Sequence, residues 1–248
     1  MNHLIALWAH PRSRSTALER VFIERGDFHV LHEPFAALYY QHEQRAAAVK
    51  SSLDAEESCD YATIRNRLLG LVQDEDLFFK DMCYHCHDHL KADQPLLQRM
   101  THVFLVRDPK PTIASHFAKN PCVTLEEIGY EKQASIFRQV QAVQRSMPIV
   151  VCAETLVAHP TSVLSELCQR LEIAFDAKSL NWSAGQHDKW QQWQGWHEEV
   201  ANSQGLHREN TEYEQTVENN PTLAEYYDYH LPYYEEMHQH RIVADEAL

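Results

Sequence analysis

Glycine is scarce in this 248-residue chain: there are six in all, and none between residues 9 and 16, where lysine is missing as well. That absence excludes two nucleotide-binding devices. A nucleoside-triphosphate phosphate loop needs glycines for close backbone approach, a lysine for the outer phosphates and a hydroxyl for magnesium. The dinucleotide fingerprint needs three spaced glycines. Long apolar runs are missing too, since no stretch reaches the roughly 18 residues of a membrane span. The apolar start, Leu4 to Ala9, is too short for a secretion signal and lacks the leading positive charge. Basic residues are few, with 22 Lys and Arg against 36 Asp and Glu and a net charge of −14. Neither a nucleic acid nor a membrane is therefore expected as a partner. No Pro-, Gly- or Ser-rich linker divides the chain, and 44% apolar content is enough for a substantial core, so one domain over 1–248 is expected. The six cysteines are irregularly spaced, which does not suggest a disulfide framework, and the expected cytoplasmic location would keep them as thiols.

What the chain does have is concentrated in its first 35 residues. The apolar run Leu4 to Ala9 breaks into His10-Pro11-Arg12-Ser13-Arg14-Ser15-Thr16 and then reads as an amphipathic helix, with Leu18, Val21 and Phe22 on one face and Gly26 as C-cap. Thr16-x-x-Glu19 has the form of a capping box. A strand, a tight loop of hydroxyls and arginines, and a helix start together make an anion cradle. Helix N-terminal N–H groups lack intrahelical partners, the helix dipole adds positive charge, and arginine adds forked donors. Without glycine or lysine, the loop is suited to an anion that carries no essential magnesium.

Strands are predicted near 3–9, 28–32, 76–80, 102–106 and 148–152. Helices are predicted near 16–25, 34–48, 60–73, 110–118, 124–146, 161–171 and 221–241. The alternation implies an α/β fold with three α/β/α layers and a mainly parallel central sheet. Val103 to Val106 and Ile149 to Cys152 have the continuous apolar character of strands buried on both sides. Tyr226, Tyr227, Tyr229, Tyr233 and Tyr234 fit a C-terminal helical hairpin.

Pro11-Arg12-Ser13-Arg14-Ser15-Thr16 resembles the 5′-phosphosulfate loop of the sulfotransferases that use 3′-phosphoadenosine 5′-phosphosulfate (PAPS), with the bacterial small-molecule branch the nearest in character. That family's second signature is a strand ending in Arg, with a Ser about eight residues on in the next helix. Here Val103 to Val106 lead into Arg107-Asp108-Pro109, and Ser115 follows two helical turns later. The resemblance implies a P-loop NTPase-like sulfotransferase fold, PAPS as co-substrate, PAP as product and a small-molecule hydroxyl or amine as acceptor. Arg12, Ser13, Arg14, Ser15 and Thr16 would hold the 5′-phosphosulfate, and Arg107 and Ser115 the 3′-phosphate. Ligands in such sheets gather at strand carboxyl ends, where two further candidates fall.

Leu31-His32-Glu33-Pro34-Phe35 follows the second strand. Sulfuryl transfer needs a base for the acceptor proton, and the resemblance favours Glu33 without excluding His32; the alternative is that Glu33 caps the helix begun by Pro34. Lys80, in Phe78-Phe79-Lys80-Asp81-Met82, would hold sulfuryl oxygens or the acceptor, unless it forms an ordinary surface pair with Asp81. Cys83-Tyr84-His85-Cys86-His87-Asp88-His89 has zinc-like residues, yet no second Cys-x-x-Cys exists to complete a structural site. Part of an acceptor pocket, or a plain loop, fits it as well. Trp190, Trp193 and Trp196 share a helical spacing that suits core packing, and Trp196 to Leu206 loosely resembles the family's nucleotide lid, without its basic Arg-Lys-Gly element. A magnesium-dependent kinase and a non-catalytic nucleotide-binding protein are the competing readings. Oligomeric state stays open, a homodimer included.

Overall fold

The computed structural model describes residues 1–42, 60–185, 187, 190, 198–207 and 211–244. The chain runs β1 (Leu4–Ala9), α1 (Ser15–Arg25), β2 (His29–His32), a π-helical turn (Leu38–His42), α2 (Tyr61–Asp74) and β3 (Leu77–Met82). A 3-10 turn (Cys83–His85) leads to α3 (His87–Ala92), α4 (Gln94–Arg99), β4 (Thr101–Val106), α5 (Pro109–Lys119), α6 (Leu125–Ile128) and α7 (Tyr130–Gln144). Then come β5 (Ile149–Cys152), α8 (Ala153–Ala158), α9 (Pro160–Arg170), α10 (Glu198–Ala201) and α11 (Pro221–His238).

The five strands form one sheet in the order β2-β3-β1-β4-β5, and every neighbouring pair is parallel. Side chains alternate across it as strand geometry requires. Leu4, Ala6 and Trp8 of β1 join Leu77, Phe79 and Phe104 under α2, α4, α5, α7 and α11. Ile5, Leu7, Phe78, Val103 and Leu105 face α1, α8 and α9. Helices thus cover both faces, and all five strands lie where the sequence predicts them. Among the described residues no helix is long and apolar enough to cross a membrane.

Three predicted elements differ. The helix expected at 34–48 appears as a turn at 34–35, a helical step at 36–37 and the π-helical turn Leu38–His42, and residues 43–48 fall outside the described residues. The helix expected at 124–146 is two helices that meet at Gly129, whose φ of +94° makes it the C-cap of α6 and the N-cap of α7. The expected C-terminal hairpin is instead the single helix α11, which carries Pro232 within it and packs along α5 and α7.

Gly129 also packs against the loop that follows β1. A Cβ built there would lie 3.1 Å from His10 Cβ and 3.5 Å from Pro11 Cδ. Gly129→Ala would combine a positive φ with that contact and is expected to lower stability by about 1–3 kcal/mol. Urea denaturation measures this; an unchanged midpoint would show that the loop yields freely.

Candidate active site

At the carboxyl ends of β1, β2, β3 and β4 lies a cleft that opens to solvent. Its first wall is the loop from β1 to α1. Arg12 and Arg14 have φ of 62° and 69°, so two arginines make left-handed turns that more often fall to glycine. Non-glycine residues pay roughly 1–2 kcal/mol for that conformation, and such outliers concentrate at functional sites. The outcome is that both arginines, with Ser15 and Thr16 at the start of α1, line the cleft.

The expected capping box does not form. Arg14 is the N-cap of α1 and makes no side-chain cap bond, which places Glu19 too far along the helix to reach back. Glu19 is instead buried, where it accepts from Trp190 Nε1 (3.1 Å) and lies 2.8 Å from His32 Nδ1. His32 is thereby held behind the site, and its ring is not among the side chains lining the cleft.

The two segments, His10 to Thr16 and Arg107 to Ser115, meet. Arg107 donates from Nη1 to the Arg12 carbonyl (2.8 Å), and Arg12 donates from Nε to Ser115 Oγ (2.8 Å). Arg12 and Arg107 line the cleft; Ser115 is buried and fastens Arg12 from beneath. Ser13 is also buried, and its Oγ has no hydrogen-bond partner among the described residues. His10 links loop and strand: Nδ1–H donates to the Pro11 carbonyl, and Nε2 accepts from the Arg107 N–H. That tautomer requires a neutral ring, and burial pushes the His10 pKa down to about 3. Gln133 of α7, which sequence reasoning missed, donates to the carbonyls of Trp8 and Leu105 (3.0 and 2.8 Å). It thereby clamps β1 to β4 just before the two motifs.

The second wall comes from β2 and β3. Lys80 is fully buried and forms an ion pair with Glu33. Glu33, at φ 45°, donates its N–H to the Lys80 carbonyl (2.8 Å). Both side chains line the cleft. The surface-pair alternative for Lys80 fails, because neighbouring residues of a strand point to opposite faces and Asp81 is buried on the other side. Asp81 accepts from Phe35 N–H (2.7 Å), Met82 N–H (2.8 Å) and His85 Nδ1 (2.6 Å). It, rather than the Glu33 side chain, caps the turn after Pro34. Burial raises the Asp81 pKa, and its bond with His85 opposes the rise.

The Cys/His run disperses. Cys83 and Cys86 enter the core, His87 bonds Asp88 and Ser135, and His89 stacks on Tyr61. Among the described residues no group of three or more His, Cys, Asp or Glu could hold a metal ion. Tyr84 and His85 of that run do reach the cleft, together with Tyr40 and Glu127, which the sequence did not mark. From the late segment, Ser203, Gly205 and Leu206 line the cleft too, and Glu199 of α10 pairs with Arg12 at 2.5 Å. Trp190 is buried in the core beside Glu19, whereas Trp193 and Trp196 lie outside the described residues.

Known proteins share this sequence pattern. Two Arabidopsis thaliana proteins, branched-chain-amino-acid aminotransferase-like proteins 2 and 1, are 28% identical over 209 residues and 27% over 207. Each match covers 82% of this chain, which spans only 36% of the length of either relative. Among solved structures, the sulfotransferase domain of the curacin biosynthetic pathway aligns with a TM-score of 0.46 at 16% identity, covering 84% of each chain. The sulfotransferase domain of the Synechococcus PCC 7002 olefin synthase aligns with a TM-score of 0.47 at 16% identity, covering 92% of this chain and 89% of its own. The family described as "Sulfotransferase domain" matches residues 3–241, nearly the whole length, and the chain belongs to that family.

Proposed function

We propose that this protein transfers a sulfuryl group from PAPS to a hydroxyl or amine of a small molecule and releases PAP. One observation carries the reading: the Glu33–Lys80 pair shares its cleft with Arg12, Arg14, Arg107 and the N-terminus of α1. Base, cation and anion cradle are the three things such a transfer requires. Arg12, Arg14, Ser15 and Thr16 would receive the 5′-phosphosulfate, where the helix N-terminus and the guanidinium charges favour an anion. Arg107 would receive the 3′-phosphate, with Ser115 acting through Arg12.

In the reaction the acceptor oxygen or nitrogen forms a bond to sulfur while the bond from sulfur to the 5′-phosphate oxygen breaks. The electron pair of the broken bond leaves with PAP. Glu33 takes the acceptor's proton, and Lys80 stabilises charge on the sulfuryl oxygens and the leaving phosphate. His32 supports Glu33 from behind, with Nε2 at 3.8 Å from Oε1, rather than acting as the base.

Calorimetric titration with PAP and with ATP, each with and without magnesium, tests the donor. PAP is expected to bind without magnesium, and Arg107→Ala to weaken that binding about 10- to 150-fold, the loss of one charge-assisted contact. Preference for ATP with magnesium would overturn the assignment, and unchanged PAP affinity in Arg107→Ala would remove Arg107 from the 3′-phosphate site.

A further inference from the structure

The lining of the cleft has two parts of different character. One holds Arg12, Arg14 and Arg107, with Glu199 paired to Arg12, and the Lys80–Glu33 pair. The other, beyond the end of β3, is built from Tyr40, Tyr84, His85 and Glu127 and offers π-systems and hydrogen-bond acceptors.

Each of these groups is fixed from behind. The Tyr40 and Tyr84 hydroxyls lie 3.4 Å apart, and both rings pack against Tyr39 at centroid distances of 5.0 Å. The His85 ring is wedged between them, 5.2 Å from Tyr40 and 4.7 Å from Tyr84. Its Nδ1 lies 2.6 Å from the Asp81 carboxylate, and in the neutral ring whose Nδ1–H donates there Nε2 carries the lone pair. That Nε2 is buried and has no partner among the described residues.

Glu127 is the fourth group. Its Oε2 accepts from both the N–H and the Oγ–H of Thr124, at 2.9 Å each. The carboxylate is buried in the cleft wall, and among the described residues no cation pairs with it. Its field nonetheless reaches the rings: burial first, with Glu33 and Glu127 adding, pushes the Tyr40 phenol up, and burial, Tyr40 and Glu127 do the same for Tyr84. His116, also in the cleft, supplies no charge, since burial and then Arg12 push its pKa down to about 3.

A buried carboxylate without a cation is costly, and aromatic rings beside it add attraction for a cation. In its neutral tautomer the His85 imidazole has an unpartnered nitrogen lone pair that asks for a donor. A protonated amine satisfies all three, and the net charge of −14 draws cations toward the molecule. The geometry points to an acceptor of the amino-alcohol class. Its ammonium would sit among Glu127, Tyr40, Tyr84 and the His85 Nε2, and its hydroxyl would point toward Glu33. The inference rests on the sulfuryl-transfer reading for the fate of that hydroxyl, but the ammonium site itself can be tested without it.

The test is calorimetric titration of the whole protein, without donor and again saturated with PAP, using matched probes. These are 4-amino-1-butanol against its N-acetyl derivative, and tyramine against N-acetyltyramine. The ammonium member of a pair is expected to bind about 10-fold more tightly than its neutral partner. Glu127→Gln is expected to remove that preference and leave binding of the neutral partner unchanged. Glutamine serves at this position of a capping box as glutamate does, so the thermal midpoint should hold. The comparison in the unmodified protein needs no variant to fold. Equal binding of both members in both pairs, or a preference that survives Glu127→Gln, would overturn the inference. An ammonium preference without PAP binding would support this site and refute the donor assignment; PAP binding without the preference would do the reverse.

Discussion

Glu33→Gln is expected to lower kcat by roughly 10²- to 10⁴-fold, the usual contribution of a positioned general base, without weakening PAP binding. Glutamine keeps the size of the side chain and can still accept a bond from Lys80, but it cannot take the acceptor's proton. The alternative, that Glu33 serves as a helix cap, predicts a different result. A lost cap would distort the turn after Pro34, and turnover and PAP affinity would fall together with stability. That alternative is already weakened, because Asp81 accepts the Phe35 N–H. The measurement is PAP release with the best acceptor of the amino-alcohol series, beside PAP titration of the same variant. Equal loss in both assays would return Glu33 to a structural role. Glu33→Asp, one methylene shorter, should fall between the wild type and Glu33→Gln in kcat.

The parts of the site that could be read from the sequence are local ones. The loop from His10 to Thr16 and the run from Val103 to Ser115 each join an apolar strand to a helix within a few residues, so composition and spacing suffice. Glu127, Tyr40 and the stretch that holds Asp81, Tyr84 and His85 lie far apart in the chain. Only the strand order β2-β3-β1-β4-β5 and the π-helical turn at Leu38–His42 bring them to one cleft, and no spacing rule encodes that. Misreadings had equally physical causes. Arg14 in the left-handed region moves the start of α1 upstream of Thr16, which leaves Glu19 free to fix His32 and Trp190. Lys80 and Asp81 are adjacent in sequence, yet the strand sends them to opposite faces, so they cannot pair. The hairpin expected among the C-terminal tyrosines ignored how well a single amphipathic face there packs onto α5 and α7. His85 was visible, but within a Cys/His run whose members turn out to serve separate neighbours.

Lys80→Met is expected to cost roughly 3–5 kcal/mol of stability, because it strands the Glu33 carboxylate in a buried position without its counter-charge. Were the pair effectively solvated at the cleft mouth, the loss would instead be about 1 kcal/mol or less, and urea denaturation separates the two. The combined variant Glu33→Gln/Lys80→Met should recover most of the loss, since neutral groups of similar shape often replace a buried ion pair at little cost. A double-mutant cycle would then give a coupling energy that neither single variant shows. Failure of the second change to rescue the first would mean that the destabilisation comes from packing around the β3 end, not from charge. A combined variant that folds well, binds PAP less tightly and does not turn over would place the value of the pair in the reaction. The fold would then keep two buried charges that it does not need for stability, and the acceptor's proton and the leaving phosphate's charge would be the reason they remain.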